Sequence, residues 1–135
     1  MQISNILPLL TLFTTAYAGC YSEKGEDEAY WSKPDARARA VDACNGVFKG
    51  TFGPKDTEAG HRKICVPAHP PPPNYGDRRQ HYVFEIWHIG DGDREITGTE
   101  CLDGLRKEIN GCDYGGVSEY TNWKYKSDPN PGSCP

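Results

Sequence analysis

The sequence predicts an α+β fold: a disulfide-stabilised two-layer sandwich, with two helices on one face of a mainly antiparallel sheet of about four strands. Three observations point there. Two helical patterns alternate with short extended ones, in the order helix, two short strands, a long strand after a loop, helix, strand. Six cysteines (Cys20, Cys44, Cys65, Cys101, Cys112 and Cys134) follow an apolar leader, and an even number in an oxidising compartment reads as three disulfides. From residue 19 to 135, Leu, Ile, Val and Phe fill only 15 of 117 positions, a thin aliphatic core. Three Trp and seven Tyr in that span, and bridges that each restrict the unfolded chain by about 3 kcal/mol, compensate.

Taken in order, residues 1–18 read as a signal peptide. Ile3 to Phe13 is apolar, and Ala16-Tyr17-Ala18 has the small-x-small pattern of a cleavage site, although no Lys or Arg precedes it. The apolar stretch is too short to span a bilayer and is interrupted by Pro8. Residues 19–135 then form a single domain, secreted and extracellular, with no membrane insertion.

A helix from about Pro34 to Asn45 opens on the Ser32 cap, with Pro34 in the first turn and Asp35 near the free amides. Ala36, Ala40, Val41 and Cys44 fall on one face, and Gly46 stops it. Val47 to Phe52 alternates, and Lys63 to Val66 is a second short extended run. Residues 67–80 hold Pro70 to Pro73 and form a stiff proline-rich loop. Tyr82 to Ile89 carries apolar residues on both faces, as a central strand does. Thr97 to Glu100 has capping-box spacing, and Cys101, Leu102, Leu105, Ile109 and Cys112 share a helical stripe. Gly115-Gly116 leads into a last strand, Val117 to Tyr125, and Ser127 to Gly132 forms a terminal turn that returns Cys134 to be tied down.

The bridge pairing stays open, because six cysteines allow fifteen arrangements. The shortest cysteine spacing, eleven, lacks the close pairs of a zinc site, so neither metal nor cofactor is implied. A formal charge of -4 argues against phosphate-backbone binding as the main task, so nucleic acid is not the expected partner, though it stays open as a substrate. No Asn-x-Ser or Asn-x-Thr sequon occurs.

The carboxyl third carries Glu100-Cys101-Leu102-Asp103-Gly104-Leu105, then Ile109-Asn110-Gly111-Cys112-Asp113-Tyr114-Gly115-Gly116, then Tyr120 to Cys134. With Ala40 to Phe52, these segments resemble small secreted cysteine-rich fungal proteins whose domain is similar to a glycan-binding lectin of an ink-cap mushroom. The proline loop looks like an insertion into that pattern. The resemblance implies carbohydrate binding, a fungal source, and action at a cell surface or on a host. It carries over no list of sugar-binding residues.

A sugar site needs an aromatic face for the C–H side of the ring and planar polar groups for paired hydroxyls. If Val117 to Tyr125 is one strand, Trp123 and Tyr125 share the core face, and Tyr120, Asn122 and Lys124 share the exposed one. The ligand-binding candidates are therefore Tyr120 and Asn122, with Asp128 and Asn130 from the terminal turn and Trp31 before the first helix. Each has a structural alternative: sheet packing, backbone bonding within a turn, or stapling of a helix start.

Two other classes compete. A small secreted ribonuclease would need an acid–base pair. His81 and Glu85 share a strand face near Arg78, Arg79 and His88, but His88 points the other way, so a partner such as His61 or His69 would be required. No catalytic residue is assigned. A secreted effector or toxin-like protein would recognise a host surface protein, and the chain has no cationic amphipathic helix for direct membrane disruption. The expected function is non-enzymatic, lectin-like binding of a glycan or glycoconjugate by a monomer or small homo-oligomer.

Overall fold

The computed structural model describes residues 17–22, 28–69 and 79–135. Most of the leader and most of the proline loop, with Arg78, lie outside the described residues. The first helix, α1 (Lys33–Asn45), starts as its sequence requires: Ser32 Oγ accepts the Asp35 N–H at 3.1 Å. Its buried stripe is Ala36, Ala40, Ala43 and Cys44. Val41, expected there, is only half-buried, because residues 36, 40 and 43 follow the three-to-four spacing of one face and position 41 is rotated off it. The second helix, α2 (Gly98–Gly111), has the full capping box: Glu100 N–H donates to Thr97 Oγ1, and Thr97 N–H to Glu100 Oε1, each at 3.0 Å. It buries Cys101, Gly104, Leu105, Glu108 and Ile109.

The strands are β1 (Tyr17–Cys20), β2 (Gly50–Phe52), β3 (His61–Pro67), β4 (Gln80–His88), β5 (Arg94–Ile96), β6 (Gly116–Glu119) and β7 (Trp123–Pro131). Five form one antiparallel sheet in the order β1-β6-β7-β4-β3, and β2 pairs with β5 in a small second sheet. The fold class is as the sequence predicts, with one more strand in the main sheet and a second sheet besides.

Three local expectations are corrected. Val117 to Tyr125 is not one strand: residues 120–122 turn the chain, with Tyr120 N–H donating to Trp123 O at 2.9 Å. Each arm alternates by itself and no glycine or proline stands between them, which hid the turn. The expected terminal turn at 127–132 is instead the second half of β7, where Pro129 pairs with Tyr82 and Pro131 with Gln80. Proline is tolerated there because β6 accompanies β7 only as far as Ser127, leaving one side without a partner strand. The run Val47 to Phe52 becomes a strand only at Gly50, after a turn closed by Lys49 N–H to Gly46 O (3.1 Å). Apart from these corrections, Tyr17 and Ala18, at the end of the expected leader, pair with Glu119 and Ser118 in β1, and cleavage after Ala18 would leave Gly19 and Cys20 of that strand.

Both helices cover the face of the main sheet that carries Tyr82, Phe84 and Ile86 of β4 and Trp123 and Tyr125 of β7, all buried. The open face carries Val83, Glu85 and Trp87 with Lys124, Lys126 and Asp128. Three disulfides are formed: Cys20–Cys112 ties β1 to the end of α2, Cys44–Cys101 joins the helices, and Cys65–Cys134 fastens the carboxyl terminus to β3.

Candidate functional site

Residues 120–122 lie where β4 ends, anchored by Ile89 N–H donating to Asn122 O at 3.0 Å. Between this turn and α2 runs a cleft of about 280 Å³. Gly104 creates its depth: a Cβ at that position would overlap the Tyr125 ring, so glycine lets the ring lie against the helix. Tyr125 Oη then donates to Glu100 O at 3.0 Å, and Trp123 Nε1 donates to Glu100 Oε2 at 3.3 Å. Burial acts to raise the Glu100 pKa, but hydrogen bonds from Thr97 and Trp123 outweigh it and hold the carboxyl below its ordinary value.

Tyr120 forms the aromatic wall, 5.9 Å from Tyr125 and tilted 58° to it. Lys107 Nζ stands 4.9 Å from the Tyr120 ring centroid. Burial, reinforced by the charge of Glu108, pushes the Tyr120 phenol above its ordinary value, so it stays a neutral donor at physiological pH. Around it lie the exposed Asp103 and Thr121 and the half-buried Asn122, whose side chains form no hydrogen bond among the described residues. The cleft thus offers a carboxylate, a hydroxyl, an amide and an ammonium beside one ring.

Of the five sequence candidates, the structure brings Tyr120 and Asn122 together, on the helix side rather than on the open sheet face. Trp31, Asp128 and Asn130 do not join them. Trp31 packs against the core ahead of the Ser32 cap, with its indole N–H buried and unpartnered and its backbone N–H donating to Gln80 Oε1 at 3.2 Å. Asn130 pairs with His81 and Asp128 with Val83, and Asn130 Nδ2 donates to Asp128 O at 3.1 Å, a self-bonding use. Gln80 and His88 mark opposite ends of β4, roughly 26 Å apart at strand rise, and Trp31 sits at the Gln80 end. Sequence reasoning missed Asp103 and Lys107. The available signal was the isolated Gly104 inside a helical pattern, which marks close packing.

The acid–base candidates separate in the same way. His88 is buried, and its Nδ1 donates to Gly53 O at 2.8 Å. His81 is turned to Gly132 O at 2.9 Å, and His69 lies beyond β3 with its backbone N–H on Asp35 Oδ2. His61, however, meets Glu85, with Nε2 to Oε1 at 2.8 Å, while Lys126 Nζ holds Oε2 at 3.1 Å. Burial would raise the Glu85 pKa, but Lys126, His61 and the charge of Lys63 keep it below its ordinary value.

Among the described residues, no group of His, Cys, Asp and Glu side chains is placed to hold a metal ion, and no helix is long and apolar enough to cross a membrane. No protein-family model matches the chain, and no curated protein matches it.

Proposed function

We propose that this is a secreted, non-enzymatic carbohydrate-binding protein, lectin-like, whose sugar lies in the cleft between α2 and residues 120–122. One observation carries the reading: Asp103, Thr121 and Asn122 present polar side chains around the Tyr120 ring that have no hydrogen-bond partner among the described residues. That is the pairing a pyranose needs, hydroxyl partners beside an aromatic wall. Three disulfides accord with an extracellular setting, and the likeness of the carboxyl third to an ink-cap lectin accords with a fungal glycan binder.

The test is binding of the oxidised protein to a broad glycan panel. Asn122→Ala and Asp103→Ala should each lower affinity at least about tenfold, as expected when a site's polar partners are removed. Asp128→Ala, on the open sheet face, should bind as the parent does. If nothing on the panel binds, the glycan reading fails and recognition of a host surface protein takes its place. The His61–Glu85 contact favours a second reading, a small ribonuclease, and RNA hydrolysis by the same sample, lost in Glu85→Gln, would establish it.

A further inference from the structure

The β6–β7 ribbon that closes in the turn at 120–122 borders two clefts. Tyr120, Asn122 and Trp123 line the one facing α2, and their chain neighbours Glu119 and Lys124 line a second, of about 410 Å³, on the other side. Its far wall is the loop segment Lys55, Asp56 and Thr57. Glu119 and Lys124 are register partners, so the two clefts are separated only by the width of one β-ribbon.

The rim of the second cleft is fixed. Trp87 stands between its register partners, with the His61 ring stacked at 4.7 Å and 7° and Lys124 Nζ at 4.8 Å from the indole centroid. Glu85 anchors His61, and Lys126 anchors Glu85. Lys124 makes no ion pair among the described residues. Lys55 and Lys124 are balanced by Asp56 and Glu119, a mixed field that suits a hydroxyl-rich neutral ligand better than a phosphate.

Size then sets the kind of ligand. Pockets that enclose a whole small ligand measure about 300–1,000 Å³, so one sugar ring in the smaller cleft stays largely wet and weakly held. A chain that reaches both clefts makes its second contact intramolecularly and gains affinity from effective concentration. We propose that the second cleft is a further sugar subsite and that the ligand is an oligosaccharide of several rings crossing the tip of the turn. This rests on the carbohydrate-binding reading of the first cleft.

The experiment is calorimetric titration of the full oxidised protein with chitin-, cellulose- and mannan-derived oligosaccharides of one to six rings. In the series that binds, affinity should rise roughly tenfold or more between two and four rings. Lys124→Ala and Trp87→Ala should erase that rise while leaving the shortest ligands bound as before, and Asn122→Ala should weaken short and long ligands alike. Melting temperature checks that Trp87→Ala is folded, and Lys124→Ala stands alone if it is not. Affinity independent of length, or a rise that survives in Lys124→Ala, overturns the second subsite and leaves the first intact. No binding by any series overturns both.

Discussion

Glu108 shows how one side chain can set a pH dependence. It is 1% exposed, and its one hydrogen bond among the described residues is from Ser118 Oγ, at 2.8 Å. Burial pushes its carboxyl above the ordinary value of 4.5, against the opposing influence of Ser118 and Lys107. The folded chain therefore holds this proton more tightly than the unfolded chain. That contribution to stability is complete below pH 4.5 and is lost as pH rises through the folded value. Glu108→Gln keeps an acceptor for Ser118 and removes the charge, so it should melt higher than the parent at pH 7, with the difference vanishing below about pH 4.5. Thermal melts across that range decide it, and equal melting temperatures at pH 7 would contradict the assignment. Glu85 works in the opposite sense: its lowered pKa contributes stability above 4.5 that is lost as pH falls. Neither sign could be read from sequence, because nothing local distinguishes the buried Glu108 from the half-buried Glu100 on the same helix.

At the scale of elements, the small β2–β5 sheet depends on Arg62. Its guanidinium donates to Val47 O at 3.3 Å, Lys49 O at 2.9 Å and Thr51 O at 2.6 Å, and lies 4.2 Å from the Phe52 ring centroid. Arg62→Ala should cost about 2 kcal/mol in denaturant unfolding, since it strips partners from several carbonyls together. Hydrogen exchange should quicken in β2 and β5 while α2 keeps its protection. Both helices were legible in sequence because their signals are local: Ser32 with Pro34, and Thr97 with Glu100. The three-residue strands β2 and β5 were not fully legible, since each is defined by its partner across Gly50 to Ile96 rather than by its own pattern. The turn at 120–122 was hidden for a related reason. No glycine or proline marks the reversal, and the switch of the buried positions from Gly116 and Ser118 to Trp123 and Tyr125 shows only once both arms are placed.

For the whole molecule, the thin aliphatic core makes the disulfides decisive. Cys44–Cys101 closes a separation of 57 residues and joins α1 to α2 in the buried core. In the chain-entropy view, removing it with paired Cys44→Ser and Cys101→Ser should cost roughly 4 kcal/mol, read as a lower denaturant midpoint. An unchanged midpoint would place the stability elsewhere. The candidate site has the same global character: α2 supplies Asp103 and Lys107, the turn supplies Tyr120 to Asn122, and the Gly104–Tyr125 contact sets the distance between them.

The sequence by itself determined the class of fold, the two capped helices, the central strand and the presence of three bridges, because composition, capping and periodicity act over a few neighbouring residues. It also marked Tyr120 and Asn122. Tertiary structure alone decided which cysteines pair, that Trp31, Asp128 and Asn130 stand away from those two, and that His61 meets Glu85. Those are contacts between residues far apart in the chain, fixed by strand register and helix packing, and no local pattern encodes them.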